Sequence, residues 1–341
     1  MLKIVTTAAA ILLFTSVTTL IGGCGCGFDC NNGNNNDNVG PTQLNLGLSD
    51  SVPEELKQVV IEVDSITFRR SGSDDVVVDT FTIDALDLVE ADSFQIDLLK
   101  YRGQTQLLVI ENLELDSTSY SEIEVSVLDG DINRSYAQEA DDSLKEINAP
   151  QAGLSLPGIK LSGGEQVFTI EFGLAQSLQY QSIDDNYLLS TDGVRVEDNA
   201  TAAGLSGRVD SGLFDTVSPC DEKTEPELGN RIYLYEGTGL SDDQLADVFT
   251  QSSSTIVPED AVAPYAVATL VKNSLTGGWE YSLGFIPPGD YTLAFSCDTA
   301  EDDPVDYDEL TVPLPLDQTY EITLSEGEQA VCDLIDGGTC N

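Results

Sequence analysis

From Gln43 onward the chain is written in short runs in which apolar and polar residues alternate. Gln43–Leu48 places Leu44, Leu46 and Leu48 on one side, the period of two that a half-buried strand requires. Val59, Ile61 and Val63 share a face, but Ile66 and Phe68 fall on the opposite parity, so the run predicts a bulge near Ser65. Further strands are predicted at Val76–Ile83, Phe94–Leu99, Gln106–Leu115 and Tyr120–Val127, each bounded by Gly, Asp or Ser. No stretch has the 3.6-residue periodicity of a helix longer than about two turns.

Past Asp198 the pattern pauses. Ala200–Ser206 is small and polar and reads as a linker; Leu205–Val209, Ile232–Tyr235, Ala266–Lys272, Leu310–Leu314 and Tyr320–Leu324 then read as strands. Ser241-Asp242-Asp243-Gln244 has the form of a capping box and predicts a short helix over Asp242–Phe249. Gly278–Phe295, with Pro287-Pro288-Gly289 at its centre, predicts a hairpin. Trp279, Tyr281, Leu283 and Phe285 share one parity of its first strand, which is how a sandwich core reads; the alternative is a sugar-stacking role for Trp279. The fold class expected is all-β: two antiparallel β-sandwich domains in tandem, 43–199 and 204–327, with at most short helices.

The first residues follow another rule. Lys3 precedes an apolar run from Ile4 to Leu20 that closes on Ile21-Gly22-Gly23-Cys24, the layout of an export signal. It resembles a bacterial lipobox, which implies removal of 1–23 and a lipid on Cys24. Six Thr or Ser residues dilute the run and argue against an uncleaved membrane anchor, and the cysteine argues against an ordinary signal peptide. Residues 24–42, rich in Asn and Gly, read as a flexible tether. Gly25 rather than Asp follows Cys24, which by the enteric sorting default implies the outer membrane, on its periplasmic or extracellular face.

Charge and chemistry narrow the function classes. Sixty Asp and Glu against 14 Lys and Arg give a net charge of −46. Such a surface repels nucleic acid and suits a saline medium, in which screening is short-ranged. There is no histidine, which removes Ser-His-Asp and Cys-His catalysis and imidazole metal sites. With Cys24 lipidated, six cysteines remain, an even number suited to disulfides in an exported chain. Spacing favours Cys220–Cys297 and Cys332–Cys340, the latter closing a tail at 328–341; Cys297–Cys332 with Cys220–Cys340 is the alternative. Cys26 and Cys30 are left unassigned. Asp129-Gly130-Asp131-Ile132-Asn133 opens like a calcium loop but has Arg134 and Ala140 where Gly and Glu belong. Asp298, Glu301, Asp302, Asp303, Asp306, Asp308 and Glu309 form the better calcium candidate, set against an exposed acidic loop. Carboxylate pairs could hydrolyse a glycosidic bond, but sixty acids produce pairs by chance.

Several motifs stand in a familiar order. Leu44–Pro53 followed by Val59–Phe68, then Ile96-Asp97-Leu98-Leu99 with Leu113–Tyr120 and Ile123, then Leu156–Leu161, Phe168–Phe172 and Tyr187-Leu188-Leu189, together resemble the bacterial lipoprotein family "domain of unknown function 4382" over roughly 43–198. Glu171-Phe172-Gly173-Leu174 departs from that family's acidic-aromatic-acidic run. The resemblance implies an envelope-anchored β-domain and no chemistry. Gly278–Phe295 is similar to a hairpin of transthyretin-like and carboxypeptidase-regulatory sandwiches, which bears on fold alone. The expectation is a non-enzymatic envelope module binding an envelope protein or glycan, without cofactor and anchored to the membrane by lipid. The competing readings are a carboxylate-dependent polysaccharide hydrolase and a calcium-dependent adhesion module.

Overall fold

A computed structural model describes residues 40–51, 56–335 and 340, all within one compact unit, Val39–Asn341. The expectations for Cys24, Cys26, Cys30, the signal 1–23 and most of the tether fall outside the described residues. Among the described residues the chain is all-β, with only two four-residue α-helices, Leu174–Ser177 and Gly212–Asp215.

In the first half a four-stranded sheet runs in the order Val194–Asp198, Gly164–Gly173, Thr42–Ser51, Leu107–Leu115, with Thr42–Ser51 parallel to Gly164–Gly173. It shares a core with a nine-stranded sheet that has the long strand Leu56–Arg69 within it. Leu44, Leu46 and Leu48 enter that core from one side, and Val59, Ile61, Val63, Ile66 and Phe68 from the other. The parity change in Leu56–Arg69 is resolved by a register shift between Val63 and Ser65, the predicted bulge, so all five side chains stay buried. Val76–Ile83 is two strands, Val76–Val78 and Phe81–Ile83, because the first pairs with Leu56–Arg69 and the second with Leu88–Ala91.

The second half packs two four-stranded sheets around another core. One runs Val271–Lys272, Trp279–Ile286, Ala203–Val209, Gln329–Val331; the other runs Ala266–Thr269, Arg231–Glu236, Gly289–Ser296, Thr319–Leu324. Ile232 and Leu234 face the core between the sheets, while Tyr233 and Tyr235 enter a second cluster with Leu245, Val248 and Ala175 of the first half. Burial on both faces explains the unbroken apolar run Ile232–Tyr235. Cys220–Cys297 and Cys332–Cys340 are both bonded, the pairing that spacing favoured.

Five local expectations are corrected. Trp279–Ile286 and Gly289–Ser296 do not form a hairpin: each pairs within a different sheet, and Pro287-Pro288, with no N–H to give a ladder, arches between them. Ala266–Lys272 likewise divides at Leu270 between the two sheets. The helix at Asp242–Phe249 is a 3₁₀ turn ending at Gln244, though its capping box forms. Beyond it, Tyr235 donates to the Ala246 carbonyl (2.6 Å) and the Val248 N–H is taken by Asp302 (3.1 Å), so tertiary partners occupy the backbone groups a helix would use. Leu310–Leu314 is a loop with a single bridge from Leu314 to Ser296, interrupted by Pro313. The linker is shorter than its composition suggests, since Ala203–Ser206 already belongs to a central strand.

Candidate functional site

At Gly284 the two halves meet backbone to backbone. A Cβ placed at Gly284 would stand 1.8 Å from the Gly103 carbonyl oxygen and 3.0 Å from the Gln104 backbone nitrogen. Only glycine permits such approach. Polar links fasten the contact: Gln176 Nε2 donates to the Pro264 carbonyl (2.9 Å), Tyr265 donates to Glu197 (2.9 Å), and the Arg195 guanidinium lies over the Tyr265 ring at 5.1 Å. Alongside this weld opens a cleft of about 520 Å³, lined by the Arg102–Gly103 segment and the outer face of the sheet carrying Ala203–Val209 and Trp279–Ile286.

Register explains what that face presents. Ser206 stands opposite Ser282, and Arg208 opposite Glu280, on adjacent antiparallel strands. Leu205 and Leu283, one residue away on each strand, are buried in the core, so the serines point the other way and are exposed. Val271 and Val331 are 41% and 49% exposed on the edge strands, forming apolar shoulders. At one end the Arg208 guanidinium is paired with Asp333 and Glu280 accepts from Asn273 (3.0 Å). At the other end is Arg102, whose Nε donates to the Leu99 carbonyl at 2.6 Å.

Behind the cleft two acids are sealed in. Asp50 is the last residue but one of the strand Thr42–Ser51, and Glu171 lies on the parallel neighbour, level with Ser49. Both are fully buried, and none of their four carboxylate oxygens meets a hydrogen-bond donor at bonding geometry. Burial raises Asp50 well above the usual carboxylate range, the Glu171 charge adds to it, and Arg102 opposes it. Burial likewise pushes Glu171 up to about 7, against the pull of Arg195, its antiparallel neighbour. Sequence reading missed this pair because Asp50 stood in an apparent turn and Glu171 in a strand. The only visible signal was a charge within the mostly apolar run Val167–Leu174.

The acidic loop expected to hold calcium is tied into the fold by several of its carboxylates. Asp302 is buried and accepts from Tyr233 (2.6 Å), Arg231 (2.8 Å) and the Val248 N–H. Asp303 accepts from Gln179 of the first half (3.0 Å) and from the Val305 N–H (2.8 Å). Asp306 accepts from the Ser254 N–H, and Asp308 from the Asp303 N–H (2.6 Å). Asp298, Glu301 and Glu309 are exposed. Asp247, which sequence reading did not single out, clamps the loop from outside by accepting the Asp308 and Leu310 N–H groups; burial pushes it up to about 7. Among the described residues no three acids or cysteines are grouped to hold a metal ion. Trp279 is half-buried, edge-on to Phe214 at 5.5 Å and covered by the Lys272 ammonium at 5.1 Å, while Tyr281 and Leu283 are fully in the core.

Residues 41–191 match the model of a family described as a domain of unknown function, DUF4382. No curated protein matches the chain. Among solved structures, 88% of the chain aligns with 34% of the Bacillus anthracis TIE protein at 9% identity and a TM-score of 0.18. It also aligns over 88% of its length with 50% of a fimbrial protein from Bacteroides ovatus, at 11% identity and a TM-score of 0.18. The chain thus spans about a third and a half of these two proteins. No helix among the described residues is long and apolar enough to cross a membrane.

Proposed function

We propose that the protein is a non-enzymatic binding or assembly module of the cell envelope, held at the outer membrane by a lipid on Cys24, and that its ligand seats in the cleft at the junction of the two halves. The observation that carries this reading is the cleft itself: a pre-formed space of about 520 Å³ on a sheet face whose backbone is fixed by glycine contacts to the other half. Sites of this size are ordinarily largely pre-formed. The two disulfides fit an oxidising compartment outside the cytoplasm. A carboxylate-dependent hydrolase needs two acids facing one substrate bond. Asp50 and Glu171 are fully buried, and of the acids that do face the cleft Asp333 is held by Arg208 and Glu280 by Asn273.

The test uses the lipidated protein purified from its own envelope after cross-linking. Cys24→Ser should leave the membrane fraction. Ser206→Phe, which fills the cleft from an exposed position, should remain anchored and lose the component that co-purifies with the wild type. Persistence of a lipid-labelled N-terminus in the Cys24 variant overturns the anchor. An unchanged set of co-purifying components with Ser206→Phe overturns the cleft. Release of reducing ends from envelope polysaccharide by the pure protein establishes the hydrolase instead.

A further inference from the structure

Arg102 stands apart from every other described arginine. Arg69, Arg70, Arg134, Arg195, Arg208 and Arg231 each lie at salt-bridge distance from a carboxylate. In a chain with 60 acids and 14 cations that outcome is expected. Arg102 is exposed in the cleft and has no such partner; its one polar bond fixes Nε on the Leu99 carbonyl and leaves both terminal nitrogens unengaged. The nearest acid behind it, Asp50, is fully buried, and neither of its carboxylate oxygens makes a hydrogen bond to the guanidinium. A guanidinium pinned at Nε presents its terminal N–H pair to a planar oxyanion.

The rest of the cleft specifies what the anion is attached to. Ser206 and Ser282 face each other across two strands and are exposed, and their hydroxyls make no hydrogen bond within the protein. Each hydroxyl both donates and accepts, which matches a ligand made of hydroxyls. The strand backbones beneath them are already paired with one another, so an extended peptide laid on this face would find no ladder to join. Farther along, Asp333 and Glu280 would repel a second acid while accepting from neutral hydroxyls.

We infer that the junction cleft recognises a short saccharide carrying one acidic group, its carboxylate on Arg102 and its hydroxyls on Ser206 and Ser282. This rests on the cleft being the ligand site, as proposed above.

The experiment measures binding to the full lipidated protein in detergent by calorimetry. The probes are a disaccharide of one galacturonate and one galactose, a neutral galactose disaccharide, acetate and inorganic phosphate. The acidic disaccharide should bind at least about tenfold more tightly than the neutral one, and Arg102→Ala should weaken it by about tenfold or more, the scale of a lost charge-assisted hydrogen bond. Arg102→Lys should retain part of the affinity, and Ser206→Phe should abolish it. Equal binding of the two disaccharides, unaffected by Arg102→Ala, overturns acid recognition and leaves the cleft as a sugar site. Acetate or phosphate binding as tightly as the disaccharide overturns the saccharide and leaves an anion site. If no probe binds while Ser206→Phe still loses its co-purifying component, the ligand class is wrong. If no probe binds and Ser206→Phe loses nothing, the cleft reading falls with it.

Discussion

Replacing Glu171 by Gln should stabilise the protein at neutral and alkaline pH, the reverse of what removing a charge from an arginine pair usually does. Glu171 is fully buried, no donor reaches its oxygens at bonding geometry, and its pKa is raised from 4.5 to about 7. For a carboxyl whose folded pKa lies above its unfolded value, the native state binds more protons between the two. Stability is therefore greatest at low pH and falls as pH rises from about 4.5 through about 7. At about 1.4 kcal/mol per pH unit the shift is worth at most about 3 kcal/mol above pH 7. Gln keeps the volume and stays neutral. Arg195 then retains Glu197 at 3.7 Å, and its attraction to Glu171 is already included in the pKa of about 7. The assay is urea unfolding of wild type and Glu171→Gln from pH 4.5 to 8.5 at fixed high salt, compared as a difference so that the many surface acids cancel. The gain should be about 1–3 kcal/mol at pH 8 and vanish near pH 4.5. A variant less stable than wild type at pH 8, or a difference that does not change with pH, would refute a buried charge penalty and make Glu171–Arg195 a net stabilising pair.

Three further outcomes follow from the same structure. Gly284→Ala should cost about 1–3 kcal/mol in denaturant unfolding, because its Cβ would press on the Gly103 carbonyl at the weld; an unchanged midpoint would mean the halves yield there freely. Removing Cys220–Cys297 by a double Ser substitution should cost about 4 kcal/mol for its 77-residue separation, and removing Cys332–Cys340, with a separation of 8, under about 3; the reverse ranking in thermal melts would sink the loop-entropy account. The melting temperature should rise with NaCl from 10 mM to 1 M, since −46 of net charge opposes compaction, and a flat series would show that the charges are already locally balanced.

Alternation alone determined much of the strand content. It located the centres of two strands, Gln43–Leu48 within Thr42–Ser51 and Val59–Phe68 within Leu56–Arg69, and it placed the bulge near Ser65, because a period of two is a local property and its violation is visible in five residues. Export and an even cysteine count pointed to both disulfides before the strands that carry them were paired. What alternation does not carry is which sheet a strand joins. Trp279–Ile286 and Gly289–Ser296 have the pattern of a hairpin, yet tertiary packing sends them to opposite sheets, because the pattern is satisfied as long as each strand has a core face. The same holds for the helix expected past Gln244, whose backbone groups are claimed by Tyr235 and Asp302, residues distant in sequence. The candidate site is wholly of this second kind. Arg102, Ser206 and Ser282 are ordinary polar residues in the sequence. Only the glycine contacts between the two halves bring them to one cleft, and only there does an unpaired guanidinium in so acidic a chain become apparent.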